Sequence, residues 1–541
     1  MYVGVDSFGR PGCGSASGLP AHQRRPDDFR DLENCVFYKG MVTKIGGTTL
    51  QGSAIASVSV PWLFHAYSDT SGLRVTMCQA GAALYQKITT GGWTAISGGG
   101  SLSTTAYPVA VQYKNKVYWV NGASALVITI ANPPVASSWT TLASGAAPTC
   151  VCLHLNRLYY DHGSSRRSQI HYTNFGDPTV TDSGSAFNVP DDQAGFYPTI
   201  FLGLGDRIIF FCQDYIVMLT GAGPFTFNKE QAPRGAALFA WRTAVNMGEY
   251  VMFLGTDGIY VTDGTRAPQI IDLSGRINFD DWDMRTVEHT HAVRVDDEYC
   301  IFFRSKGDQV PALSRPAKSM SLYYYMVASR LTRTLAASAP TTTSHYYRIS
   351  RRTGQYSGPH TGPWLSAAWQ QFSTTHSDNQ ELWFGSAFAG GKVAAADQTT
   401  FTHVTSTGNT DILPMRWRSG SLAPRDEPGA QFKLWKVEEV VLAFGTQKRT
   451  AGGGSLRVYF DGKLTEWSME RTIPLSKKQP GIRGEACEPG ELEMPEGAVY
   501  AFRPNGEEQN IGYWPEMEFE ELSDQPVQIW GFGAEVGEER A

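Results

Sequence analysis

The residue types that do chemistry are present in this chain, but they do not gather into reactive patterns. Eleven histidines occur. His289 and His291 alternate on one expected strand, and His154, His162 and His171 recur within a short stretch. Neither set has a third ligand at the spacing that zinc needs. The doublets Asp191-Asp192, Asp280-Asp281 and Asp296-Asp297 invite a glycosidase reading, because paired carboxylates do general acid and base work. Each doublet falls at an expected turn, where Asp caps the backbone instead. Glu485, Glu488, Glu491 and Glu493 are spaced too loosely for a calcium loop. No HExxH, GxSxG, Walker A or GxGxxG segment occurs. The GLGD run from Gly203 to Asp206 reads as a hairpin turn, with no helix start behind it to hold phosphate. The expectation is a protein that is not an enzyme, with no catalytic, metal-binding or cofactor-binding residues and no cofactor.

Basic residues are the more suggestive set. Arg24 and Arg25, Arg166 and Arg167, Arg348, Arg351 and Arg352, and Lys477 and Lys478 sit on expected loops. Lining one opening, they would contact phosphates without reading sequence. Taken singly, each is an ordinary solvated loop residue. The net charge of -6 is unevenly spread: from Gly481 onward there are 15 acidic residues against three Arg. The preceding stretch is therefore weakly basic. An acidic end can dock on a basic partner or keep a large protein in solution. Its candidate contact residues are Glu485, Glu488, Glu491 and Glu493.

The eight cysteines (Cys13, Cys35, Cys78, Cys150, Cys152, Cys212, Cys300 and Cys487) form no CxxC pair. Several lie in apolar strands and read as small buried side chains in a reducing compartment. The opening MYVGVDSFGRPG has neither the basic head nor the apolar run of a signal peptide. No stretch reaches the roughly 18 apolar residues of a membrane helix.

The elements that would position these residues are short strands. Fourteen Trp, 24 Tyr and 27 Phe favour pleated sheets, and 56 Gly and 29 Pro imply frequent reversals. From about Val60 a rhythm appears. Leu63–Tyr67, Leu73–Gln79, Ala83–Ile88 and Trp93–Ile96 are strand candidates, and Pro108–Tyr113, Lys116–Asn121, Ala125–Ile130 and Trp139–Leu142 repeat the scheme. The Trp-Thr pairs at Trp93 and Trp139 are 46 residues apart. Further units follow, each around a tight hairpin such as CLHLNRLYY or FLGLGDRIIFF. The fourth unit ends at Phe225–Phe227, and a sixth opens at His289–Val295 and continues through Leu322–Val327. Four-stranded repeats of roughly 40–50 residues are the mark of propeller blades. Consecutive sandwiches would be less regular, and a β-helix would have shorter coils.

The fold class predicted is all-β. It has a β-propeller of six or seven blades, an extended N-terminal arm and a C-terminal β-sandwich. The boundaries are 1–55 for the arm and its platform contacts and 56–410 for the propeller, with a loop-like insertion near 331–363. The sandwich and its acidic tail take 411–541. Arg471 to Gly481 (RTIPLSKKQPG) reads as a loop.

Three segments resemble the β-propeller tail nozzle or tail-tube proteins of short-tailed bacteriophages, and the related packaged-DNA stabilisation proteins. The first is NCVFYKGMVTKIGG, with Asn34, Gly40, Lys44 and Gly46 or Gly47 as the matching positions. It departs from the family in having Lys44-Ile45-Gly46 where Arg-Pro-Gly is common. The second is ELWFGSAFAGGKVAAAD, from Glu381 to Asp397. The third is MRWRSGSL followed by FKLWKVEEVVLAF, with Gly420, Lys433 and Lys436 in register. The resemblance implies a structural virion protein, assembled in the host cytoplasm and resident in the viral tail. It implies a homohexameric ring that meets portal and adaptor proteins and carries fibres or spikes. Such a ring extends the channel for double-stranded DNA, retains the genome and allows its ejection. The alternative is a host-receptor-binding tail fibre propeller.

Overall fold

The computed structural model describes residues 59–304 with short gaps, and beyond them mainly the strands named below within 2–53, 344–422 and 435–538. Structural statements refer to these residues. Tight reversals set the strand lengths. Leu155 and Asn156 both take positive φ, the twist that a two-residue hairpin turn requires. Lys114, Gly205 and Asp296 hold positive φ at the equivalent turns of other units. Around these turns the chain lays down antiparallel four-stranded sheets in sequence order.

Seven such sheets form the blades. The innermost strands are Trp62–Tyr67, Val109–Tyr113, Val151–His154, Ile200–Leu204, Val245–Asn246, His291–Val295 and Trp364–Gln370. They run the same way around the ring. Tyr67 and Gln112, both near strand ends, exchange hydrogen bonds between blades 1 and 2, and Asn246 Nδ2 donates to the Gly203 carbonyl between blades 5 and 4. Apolar side chains fill every gap between neighbours. Trp62 and Trp119 share the core of blades 1 and 2; Trp139, Tyr118 and Tyr160 share that of blades 2 and 3. Phe201, Phe210 and Phe253 lie in the core that spans blades 3 to 5. Each fully buried side chain of this size contributes roughly 1.5–3 kcal/mol.

Blade 7 closes the ring and is made from both ends of the chain. Trp364–Gln370, Glu381–Ser386 and Val393–Asp397 supply three strands, and Gly47–Leu50 supplies the outermost. Its face toward blade 1 buries Trp383 against Leu63, Cys78 and Val60. Ser366 Oγ donates to the Val60 carbonyl at 2.7 Å across the same seam. The count of six or seven thus resolves to seven.

The sandwich packs two sheets over one core, in which Trp417, Trp435, Phe519 and Phe532 are buried. One sheet runs through Trp435–Phe444 and Gln528–Glu538; the other runs through Met415–Arg418, Glu516–Glu521 and Gly454–Tyr459. The arm is extended and enters both. Cys35–Tyr38 and Met41–Lys44 join the first sheet as a hairpin, and Asp31–Glu33 edges the second. Gly14–Ser15 and Asp28–Phe29 add to the outer edge of blade 6.

Several strand positions differ from the sequence reading. The fourth strand of blade 2 is Val135–Ser138, and Trp139 follows it as a buried wedge between two blades. The fourth strand of blade 4 is Asn228–Gln231, not Phe225–Phe227. A short 3-10 turn, Trp241–Thr243, precedes the innermost strand of blade 5. The insertion near 331–363 contains Ser344–Ser350 and Tyr356–Gly362, the outer strands of blade 6. Its Ser, Thr, Gly and Pro content masked them, because strand pairing supplied the order that composition did not. The expected loop after Arg471 begins inside the strand Met469–Ile473. Leu322–Val327 lies outside the described residues.

Truncating Trp383 tests ring closure. Trp383→Ala is expected to lower stability by about 3–5 kcal/mol, the cost of emptying a large aromatic site. Urea unfolding followed by intrinsic fluorescence measures it.

Candidate functional site

The densest polar arrangement is the joint where arm, propeller and sandwich meet. Its first member is Asn34, fully buried with φ of 54°. Asn tolerates that left-handed conformation better than most side chains. Its Oδ1 accepts from the Thr361 N–H at 2.8 Å on blade 6, and its Nδ2 donates to the Pro414 carbonyl at 2.8 Å beside the sandwich. Its backbone N–H reaches the Pro359 carbonyl, and its carbonyl accepts from Ile45. One residue therefore ties three parts of the chain.

Lys44 is the second member. Its Nζ meets Glu521 Oε2 at 2.7 Å, and both side chains are wholly shielded from solvent. Gly47 is the third. A Cβ there would sit 1.9 Å from the Thr402 carbonyl oxygen, so only glycine fits. Asn34, Lys44 and Gly47 are positions of the first resembling segment, and here each has a joining role.

Glu521 ends a row of acids on the strand Glu516–Glu521. Met517 and Phe519 face the core, and Glu516, Glu518 and Glu520 alternate with them. Glu516 pairs with Arg418 at 2.7 Å, and the Arg418 guanidinium lies 3.7 Å from the Tyr459 ring centroid. Glu518 accepts from Arg416, Arg457 and Tyr459. Burial alone would raise the Glu518 pKa, but the hydrogen bonds and charge of Arg416, with Arg457 and Tyr459, hold it below the usual carboxylate value. Sequence reasoning missed this row. Its signal was the alternation Glu-Met-Glu-Phe-Glu, facing Arg-Trp-Arg on another strand. Glu516, Glu518 and Glu521 are buried and paired within the chain.

Of the predicted basic residues the structure describes Arg25, Arg166, Arg167 and Arg348, in different settings. Arg25 is exposed, and its backbone N–H donates to Asp28. Arg166 and Arg167 lie in the turn between the second and third strands of blade 3, with Arg166 exposed. Arg348 is held by Glu298, with contacts of 2.5 and 2.6 Å, in the third strand of blade 6. That strand ends, at Ser350, on the opposite end of the ring from Arg166. Arg24, Arg351, Arg352, Lys477, Lys478, Glu485, Glu488 and Glu491 lie outside the described residues. Glu493 ends a short strand paired with Lys448–Arg449.

Several of the described histidines pack within the blades. His162 Nδ1 and His171 Nε2 are 3.0 Å apart, and His171 stacks on Tyr160. His291 stacks on Phe302. His65 Nδ1 contacts Thr76 Oγ1 at 2.9 Å, and its Nε2 lies 3.3 Å from the Ala368 carbonyl of blade 7. Burial lowers the His65 pKa to about 3 and that of His345 to about 4. Burial, with His162 and Arg166 nearby, lowers that of His171 to about 4. Asp296 occupies the turn expected of it. Among the described residues, no three His, Cys, Asp or Glu gather as a metal site, and no helix is long and apolar enough to cross a membrane. Among the described residues, six cysteines are buried and none is in a disulfide.

No family model matches this chain, and no curated protein matches it. Solved structures resemble it weakly. The extracellular domain of a hybrid two-component system from B. thetaiotaomicron aligns at 7% identity with a TM-score of 0.34, over 70% of this chain and 45% of that one. Kluyveromyces lactis Hsv2 aligns at 10% identity and 0.29, over 49% of this chain and 95% of that one. The Neurospora crassa Pan2 WD40 domain aligns at 8% identity and 0.31, over 64% and 94%. Scores this low carry no argument, so the blade count rests on the strand pairing described above.

Two outcomes test the joint and the histidines. Lys44→Met leaves Glu521 buried without its cation and is expected to cost about 3–5 kcal/mol. The double variant with Glu521→Leu is expected to recover most of that loss, as read by urea unfolding. A histidine with a depressed native pKa binds its proton only when unfolded, between its native value and about 6.5. Stability is therefore full above about pH 6.5 and falls as the pH drops toward 4. Replacing His65 by Gln is expected to flatten that slope in thermal melts taken across this range.

Proposed function

We propose that this chain is a structural subunit of the tail nozzle of a short-tailed phage and performs no chemical step. The observation that carries the reading is the joint. Asn34, Lys44 and Gly47, which lie in the segment that resembles the nozzle family, are residues that weld arm, propeller and sandwich into one block. A nozzle must withstand packaged-genome pressure without deforming, and buried hydrogen-bonded joints serve that purpose better than exposed contacts.

On this reading, copies associate head to tail into a sixfold ring that continues the DNA channel below portal and adaptor proteins. A closed ring repeats each surface group around its bore. A single exposed turn such as Arg166-Arg167 then becomes a circle of charge, so the dispersal of basic residues within one chain does not argue against DNA passage. Residence in the virion tail follows from the same role.

Mass photometry and negative-stain imaging of the purified chain test the proposal. A closed ring of six copies with an open bore is the expected result. A monomer or trimer that binds host glycans on an array would replace it with the receptor-binding reading.

A further inference from the structure

Blade 6 ends in the strand Tyr356–Gly362, and the arm is fastened to that strand. Gly14 pairs with Tyr356. The Asn34 N–H donates to the Pro359 carbonyl at 3.3 Å, and Asn34 Oδ1 accepts from the Thr361 N–H at 2.8 Å. His360 stands between those two contacts. It is 1% exposed, and its ring centroid lies 4.8 Å from that of Tyr346, a member of the core shared by blades 6 and 7.

Neutral imidazole suits this place and imidazolium does not. Nε2 is 3.1 Å from Ser357 Oγ, whereas Nδ1 has no hydrogen-bond partner among the described residues. A second proton would make both nitrogens donors and leave a buried N–H without an acceptor. The neighbouring strand Ser344–Ser350 adds the positive charge of Arg348, and Arg348 already holds the Glu298 carboxylate of the strand beyond. His345 hydrogen-bonds the His360 backbone and has its own buried Nδ1 with no partner among the described residues. From the arm, Glu33 Oε1 is 3.5 Å from the Thr361 hydroxyl, and burial keeps the Cys35 thiol protonated. Burial, then Arg348 and His345, hold the His360 pKa well below 6.5.

Position decides what protonation does. His65 sits on the innermost strand of blade 1, where exposing it requires the ring to come apart. Tyr356–Gly362 is the outermost propeller strand of blade 6, with only short arm strands beyond it. Such an edge opens locally at a lower free energy than the whole domain.

We propose that acid releases the arm from blade 6: Tyr356–Gly362 detaches and Asn34 loses its propeller partners, while the other blades stay folded. Docked, both histidines are neutral; exposed, they titrate near 6.5, so they take up protons only when the strand is open. The hold is therefore full above about pH 6.5 and weakens below it, by close to tenfold per pH unit for each histidine released. The inference does not depend on ring assembly.

Hydrogen–deuterium exchange of the full chain, read by mass spectrometry and corrected for the intrinsic rate at each pH, tests it. Between about pH 6 and pH 5, opening in peptides covering 356–362 is expected to rise about tenfold or more, with peptides covering 109–120 and 151–161 unchanged. The His360→Gln, His345→Gln double variant is expected to lose that rise. Flat protection of 356–362 across this range, a rise shared equally by blades 2 and 3, or a rise kept by the double variant overturns the proposal. Should the double variant fold poorly, the comparison of blade 6 with blades 2 and 3 in the wild-type chain decides.

Discussion

A four-stranded sheet with two apolar faces must have both covered, and seven such sheets satisfy that demand only by closing on themselves. The last blade cannot finish this closure from its own stretch of sequence. Its outer strand, Gly47–Leu50, arrives from the N-terminal arm. Everything else in the structure follows from that borrowed strand. The arm must first pass through the sandwich to reach blade 7, so its hairpin Cys35–Met41–Lys44 becomes part of the sandwich core. Ring and sandwich therefore share one chain segment, and loosening either one loosens the other.

The joint also explains why so much charge is buried in a chain with few charged residues. Lys44–Glu521 and Arg418–Glu516 are both shielded from solvent. Such pairs add little net stability over apolar replacements, because desolvation offsets the attraction. Their value is directional. An apolar contact tolerates a slipped strand, whereas a buried lysine that loses its carboxylate is strongly disfavoured. Arg418–Glu516 thus pins the register of Met415–Arg418 against Glu516–Glu521, where a shift of one residue would turn Met517 and Phe519 outward, and Lys44–Glu521 ties Met41–Lys44 of the other sheet to that strand.

The strand rhythm was legible because tight hairpins leave strong local marks. VQYKNKVYWV and CLHLNRLYY carry turn residues between apolar runs, and the observed strands Val109–Tyr113, Lys116–Val120, Val151–His154 and Arg157–Asp161 sit close to the expected positions. The outermost strands were read less well. Asn228–Gln231 and Val135–Ser138 are short and solvent-facing, so no burial pattern identifies them. Ser344–Ser350 and Tyr356–Gly362 were hidden by a Ser- and Thr-rich composition, although their pairing with Glu298–Arg304 makes them regular strands.

What the amino-acid sequence by itself determined was the local repeat: strand, tight turn, strand, with apolar faces that require neighbours. Turn chemistry and alternation act over a few residues, and a linear reading captures them. The tertiary structure alone decided the blade number and the partnership of Gly47–Leu50 with Val393–Asp397. It also decided the meeting of Asn34 with Thr361 and Pro414, and the burial of Glu516, Glu518 and Glu521. These contacts join residues from about 60 to several hundred positions apart. Neither partner's local sequence names the other, because these contacts exist only once folding has brought distant strands together.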